Sequence, residues 1–204
     1  MFRKHHDVIA GVGGRASARR LVATMGFILA AAAGLPATSG PPNEPGVTVS
    51  ENGGAYTVTA SFTVPQAPAF ALAVLTDYPE IPRFMPEVRT SNVIERAEDR
   101  ALVEQEAVAR FMMFSKRVHL LLEVQQQQGI IRFRDRCGKS FARYEGGWTV
   151  SERDGNTHIT YELLATPSFD VPGFLLKRLL GRDASQMIER LKVEISARAR
   201  QPVN

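Results

Sequence analysis

Between residues 46 and 200 the hydrophobic pattern starts strand-like, turns helical, returns to a long β region and ends helical. Val47 to Val64 reads as two strand segments around the turn Glu51-Asn52-Gly53-Gly54. In the second, Tyr56, Val58, Ala60, Phe62 and Val64 alternate with Thr57, Thr59, Ser61 and Thr63, the period of a half-buried strand. Pro65 ends it, and the Ala-rich stretch from Ala67 to Thr76 predicts a short helix with Pro68 in its first turn. Prolines at 79, 82 and 86 push their predecessors out of the helical region, so at most one more turn of helix fits before Met85.

From Val88 to Ala165 the pattern is β throughout: Val88 to Glu95, Ala101 to Phe111, Lys116 to Gln126, Ile130 to Cys137, Phe141 to Ser151 and Thr157 to Ala165. Turn signals at Ala97-Glu98-Asp99, Gln128-Gly129, Gly138-Lys139 and Arg153 to Asn156 predict an antiparallel meander. After Pro167 and Pro172 a short apolar helix from Gly173 to Leu180 is expected. Gly181 then interrupts, and Asp183 caps a helix running to about Arg200, roughly 27 Å long. Ala184, Met187, Ile188, Leu191 and Ile195 form its apolar stripe. The predicted class is α+β: a curved antiparallel sheet of six to seven strands around a long C-terminal helix, with two short helices between the first and second strands. One helix cannot cover the inner face of so large a sheet, so a cavity is expected between them.

Residues 1–39 read differently. A basic stretch (Arg3, Lys4, Arg15, Arg19, Arg20), the apolar run Leu21 to Ala33 and small residues at Ala37 and Ser39 predict a cleaved export signal and a periplasmic protein. The run is shorter than the roughly 20 apolar residues of a membrane span, and an uncleaved N-terminal anchor is the alternative. Residues 40–46, rich in Pro and Gly, predict a flexible tether, and 47–200 a single domain. Without the signal the chain has 20 basic and 20 acidic residues, so the pI near 9.5 belongs mostly to the discarded part. The usual step from a basic pI to nucleic acid therefore fails. Cys137 is the single cysteine, which excludes an intrachain disulfide.

Candidate chemistry after position 39 is sparse. His119 and His158 fall on polar strand faces, and no nucleophile–base pair or metal-ligand spacing accompanies them, so no catalytic residue, metal or cofactor is expected. Cys137 reads as a buried thiol. Asp135 shares its strand face with Ile131 and Phe133, and Gln105 lies between Val103 and Ala107. Each is either a polar anchor inside the cavity or is turned outward by a bulge. Gly146, between Tyr144 and Trp148, marks a bend of the sheet or a close approach to a ligand. Phe174 to Leu180, flanked by Lys177, Arg178 and Arg182, either packs on the sheet or touches a membrane interface.

Val64 to Phe84, Ser140 to Glu152 with the hairpin Arg153 to Asn156, and Pro172 to Ala197 resemble the START-related helix-grip superfamily, in particular its polyketide cyclase and coenzyme Q-binding branch. The resemblance implies a sheet gripping the C-terminal helix around an apolar cavity. The chain departs from the coenzyme Q-binding proteins in its export signal. The expected function is non-catalytic binding or transport of a lipid, quinone or polyketide-like molecule in the bacterial cell envelope. The expected lining is Phe62, Phe70, Phe84, Phe111, Met112, Leu120, Phe133, Asp135, Tyr144, Trp148, Tyr161, Leu175, Met187 and Leu191. The enzyme alternative is a cyclase or dehydratase moving a proton with Asp135 or Tyr144 in the same cavity. A third reading is an interaction module using the outer face of the sheet.

Overall fold

The computed structural model describes residues 46–111 and 114–201, without the side chains of residues 111 and 114. The expected export signal, most of the expected tether, and the side chains of Phe111 and Met112 lie outside the described residues.

Eight antiparallel strands form one sheet: β1 (Gly46–Asn52), β2 (Ala55–Val64), β3 (Val88–Arg96), β4 (Arg100–Phe111), β5 (Phe114–Gln127), β6 (Ile130–Asp135), β7 (Phe141–Arg153) and β8 (Asn156–Pro167). Their order is β1-β2-β8-β7-β6-β5-β4-β3, so the predicted meander runs from β3 to β8 and then closes against β2. The count exceeds the expected six to seven because the residues before the first turn pair fully with β2, Gly46 opposite Ser61 through Asn52 opposite Ala55. Three hairpins turn on paired left-handed residues, at Gly53-Gly54, Gln128-Gly129 and Asp154-Gly155. That backbone matches the right-handed twist of the strands it joins. Along β3 the pairing with β4 changes step twice, between Val88 and Thr90 and between Val93 and Glu95.

Between β2 and β3 lie α1 (Pro68–Leu75), a 3-10 turn (Tyr78–Glu80) and α2 (Ile81–Phe84). They follow the second strand, not the first, because the N-terminal hairpin adds a strand.

The C-terminal helix α3 is continuous from Gly173 to Ala199, 27 residues or about 40 Å. The expected break at Gly181 does not occur, and Asp183 is an interior residue, not a cap. At Gly181 the helix passes close to β1, where a Cβ would sit 3.4 Å from Val49 Cγ2. Packing there overrides the glycine's weak helical propensity. Ile188 and Ile195 are fully buried, each worth about 1.5–3 kcal/mol of apolar transfer. Glu194 is buried as well. It accepts from Arg83 of α2 and, at 2.5 Å, from Arg198 Nε, while Arg198 Nη1 reaches Asp77 at 2.6 Å. These groups fasten the short helices to the C-terminal half of α3.

Gly146 and Gly147, in the middle of β7, permit the bend of the sheet. A Cβ on Gly146 would fall 2.1 Å from the Glu162 carbonyl oxygen, and one on Gly147 2.3 Å from that of Ile131. Neighbouring strands approach there more closely than any side-chain-bearing residue allows.

Candidate functional site

A cavity of about 300 Å³ lies beneath the middle of α3. Its roof is Met187 and Leu191 of α3. Its floor is Leu122 and Val124 of β5, Ile131 and Phe133 of β6, Tyr144 and Trp148 of β7 and Tyr161 of β8. Val74, Leu75, Tyr78, Ile81, Phe84, Met85 and Val88 form the remaining wall. Met187 and Leu191 face the same space as Phe133 and Trp148, so the helix does not close onto the sheet. The volume is at the lower end of the 300–1,000 Å³ usual for small-molecule sites.

The inner wall is aromatic. Trp148 and Tyr161 rings are 4.5 Å apart, and Phe133 lies 6.0 Å from Tyr144 and 6.4 Å from Tyr161. The phenols of Tyr144 and Tyr161 hydrogen-bond each other. Burial pushes the Tyr144 phenol up to about 12, opposed by that hydrogen bond and reinforced by the negative charge of Asp135. Burial also drives Tyr161 well above the ordinary phenol range, and it raises Tyr78 against the opposing charge of Arg96. All three are neutral at physiological pH, and so present hydroxyls, not charge, to an occupant. Gln105 lines the cavity and donates from Nε2 to Ser91 Oγ at 3.0 Å, so it is turned inward as one of its two sequence readings required.

Glu87, Asp183 and Arg190 are the charged lining groups. Arg190 donates to Glu87, and Arg182 to Asp183 at 2.8 Å. Burial raises Glu87, but the Arg190 hydrogen bond and the charges of Arg190 and Arg182 hold it below the usual carboxylate range. Asp183 goes the other way: burial raises it, and Arg182 does not fully offset this.

Of the residues expected to line the cavity, Phe84, Phe133, Tyr144, Trp148, Tyr161, Met187 and Leu191 do so. Phe62, Phe70, Leu120, Asp135 and Leu175 are not in its wall. Phe62 is buried on β2, where α3 packs directly on the sheet. Leu120 precedes the lining part of β5, which begins at Leu122, and Phe70 precedes the lining part of α1 at Val74. Leu175 sits two turns before Asp183, the first lining residue of α3. Asp135 is spent on the backbone: Leu121 N donates to Oδ1 at 2.8 Å, Cys137 N to Oδ1 at 3.2 Å and Gly138 N to Oδ2 at 2.9 Å. Its carboxylate is turned onto these backbone groups, with its charge still felt by the Tyr144 phenol. Cys137 is half-buried, with Sγ 3.2 Å from Asp135 Oδ1.

Tyr78, Met85, Glu87, Val88 and Asp183 are lining residues the pattern did not single out. The first four lie in or beside the proline-punctuated stretch, which has no period to assign a face. His119 stays on the outer face, 3.6 Å from Glu104 and 3.9 Å from Glu106. A broader depression on that face, about 650 Å³, is lined largely by charged and polar side chains such as Glu123, Arg132, Arg134 and Glu162. It lacks the aromatic walls of the inner cavity.

The profile of the family described as polyketide cyclase / dehydrase and lipid transport matches residues 64–192. No curated protein sequence matches the chain. Among solved structures, the Zhui aromatase/cyclase of Streptomyces sp. R1128 superposes with a TM-score of 0.62 at 13% identity, covering 72% of this chain and 96% of that one. A STAR-related lipid transfer protein of Xanthomonas axonopodis gives 0.57 at 15%, covering 76% and 99%. Human STARD10 gives 0.58 at 13%, covering 74% and 73%. These likenesses are of fold. With the family profile spanning the short helices, β3 to β8 and the cavity-lining part of α3, the chain belongs to the polyketide cyclase / dehydrase and lipid transport family.

Proposed function

We propose that this protein binds a hydrophobic small molecule, of lipid, quinone or polyketide-like kind, in the cavity beneath α3 and carries it without chemical change in the bacterial cell envelope. The observation that carries the reading is the apolar-walled space between Met187 and Leu191 on one side and Phe133 and Trp148 on the other, with phenols held neutral by burial. Such a wall favours a flat or flexible apolar body with few polar groups. The fold neighbours include one named a lipid transfer protein and one named an aromatase/cyclase. Envelope location is supported by the sequence of residues 1–39. Protein recovered from the periplasmic fraction should begin near residues 37–39, and a cytoplasmic, full-length product would remove the location.

Trp148 is the chain's sole tryptophan and stands in the cavity wall. Titration with a short-chain quinone is therefore expected to quench its emission saturably at one equivalent. Filling the space with the pair Leu122→Phe and Met187→Phe should weaken binding about tenfold, the scale of a few methylene volumes in an apolar pocket. Quenching that is absent, or indifferent to the filled cavity, would overturn the reading.

A second reading, proton-transfer catalysis of a cyclase or dehydratase kind, is favoured by the opposed Glu87 and Asp183, the arrangement that assigns base and acid roles. A native ligand recovered chemically unaltered after long incubation, both with the unaltered chain and with Asp183→Asn, supports carriage. Turnover that Asp183→Asn abolishes supports catalysis.

A further inference from the structure

The end of the domain where α3 begins carries the most exposed large apolar side chain among the described residues, Phe174, at 78%. Lys177 and Arg178 follow it by one helical turn, lie on the same face and are exposed. Two contacts tie the β4–β5 hairpin to this surface. Lys116 Nζ stands 5.0 Å over the ring of Phe169, in the segment before α3. Arg182 Nη2 donates to the Arg110 carbonyl oxygen at 2.5 Å. Lys177 and Arg178 thus stand on the face of Phe174, with Lys116 over the neighbouring Phe169 and Arg182 on the Arg110 backbone.

Several cations of the sheet and of the end of α3 are matched to carboxylates: Arg134 and Arg136 with Glu123, Arg143 with Glu145, Arg198 with Glu194. On this surface, among the described residues, Lys116, Lys177 and Arg178 enter no ion pair.

We propose that this surface docks on an anionic lipid bilayer, with Phe174 seated at the headgroup boundary and the basic side chains around it on the lipid phosphates. Exposed apolar surface within a basic rim is the combination that binds such an interface: apolar insertion and charge attraction add. A nucleic acid would use the cations and leave Phe174 without a role. Arg182 adjoins Asp183 of the cavity wall, so the docked face borders the cavity. The proposal goes beyond ligand binding and stands on separate residues.

The described residues share one core that runs from Tyr56 to Ile195 and lies wholly within residues 39–204. Used alone, this part of the chain avoids the apolar stretch of residues 21–33. It is expected to co-sediment with vesicles of equal parts phosphatidylcholine and phosphatidylglycerol, and at least tenfold more weakly with phosphatidylcholine alone or in high salt. Lys177→Glu with Arg178→Glu should cut partitioning at least tenfold, and Phe174→Ser about tenfold. Both variants change exposed side chains and should keep quinone quenching of Trp148, so loss of docking is separable from loss of the ligand site. Absence of vesicle binding, equal binding to neutral vesicles, indifference to either variant, or an oligonucleotide retained equally by Phe174→Ser would each overturn the proposal.

Discussion

Replacing Gly146 with alanine is expected to destabilise the fold by about 3 kcal/mol or more, the largest loss from adding a single methyl group in this chain. The added carbon falls 2.1 Å from the Glu162 carbonyl oxygen and 3.0 Å from Leu163 Cα, both backbone atoms of β8 that no rotamer change moves aside. β8 is itself held between β7 and β2, with Gly146 opposite Leu163 and Val58 opposite Leu163 on the other side, so relief requires displacing several strands together. Urea unfolding of Gly146→Ala measures the loss. Gly155→Ala is the control: its left-handed φ of +72° strains an alanine, but nothing lies within 4 Å. It should lose only about 1 kcal/mol. If the two variants lose the same, close strand approach is not what Gly146 provides.

Glu194→Ala is expected to lose about 3 kcal/mol, at the low end for breaking a buried ion pair. The carboxylate side chain is 7% exposed and is shared by Arg198, itself 20% exposed, and Arg83. Removing it leaves Arg198 with Asp77 alone, in a setting that already holds one buried guanidinium nitrogen without a hydrogen-bond partner. Arg83 is 54% exposed and keeps Glu80, so its share is small. Asp77→Ala should lose only about 1 kcal/mol, because Glu194 remains. Thermal unfolding of the two variants decides the order, and a larger loss for Asp77→Ala would contradict the assignment of Glu194 as the centre of the cluster.

The sequence carried the strands well because period two is clear in the strands that pair most evenly, such as β2 and β8, and the glycine-bearing turns fix the hairpins independently of packing. Its failures share a cause. Alternation says which face a side chain takes, not how far along the strand the helix lifts away. Phe62 and Leu120 were assigned to the correct face and the wrong place along it. Gly181 was given its intrinsic preference, and close packing on Val49 overrode that preference. Asp135 reads as an inward carboxylate, yet it accepts from the backbone of Leu121 on β5 and of Cys137 and Gly138 just after β6, bonds that no pattern of apolar residues encodes. Glu194 sits on what reads as the polar side of α3, and is buried because two arginines from different elements meet it there.

The double change of step along β3 bears on self-association. This strand is the outer rim of the sheet and exposes Ile94, so in an evenly paired form it would offer a template for strand addition. The two offsets leave only the short stretch from Thr90 to Val93 in uniform spacing. An approaching chain finds no long ruler of donors and acceptors to copy, which works against fibril growth from that side even when the protein is crowded.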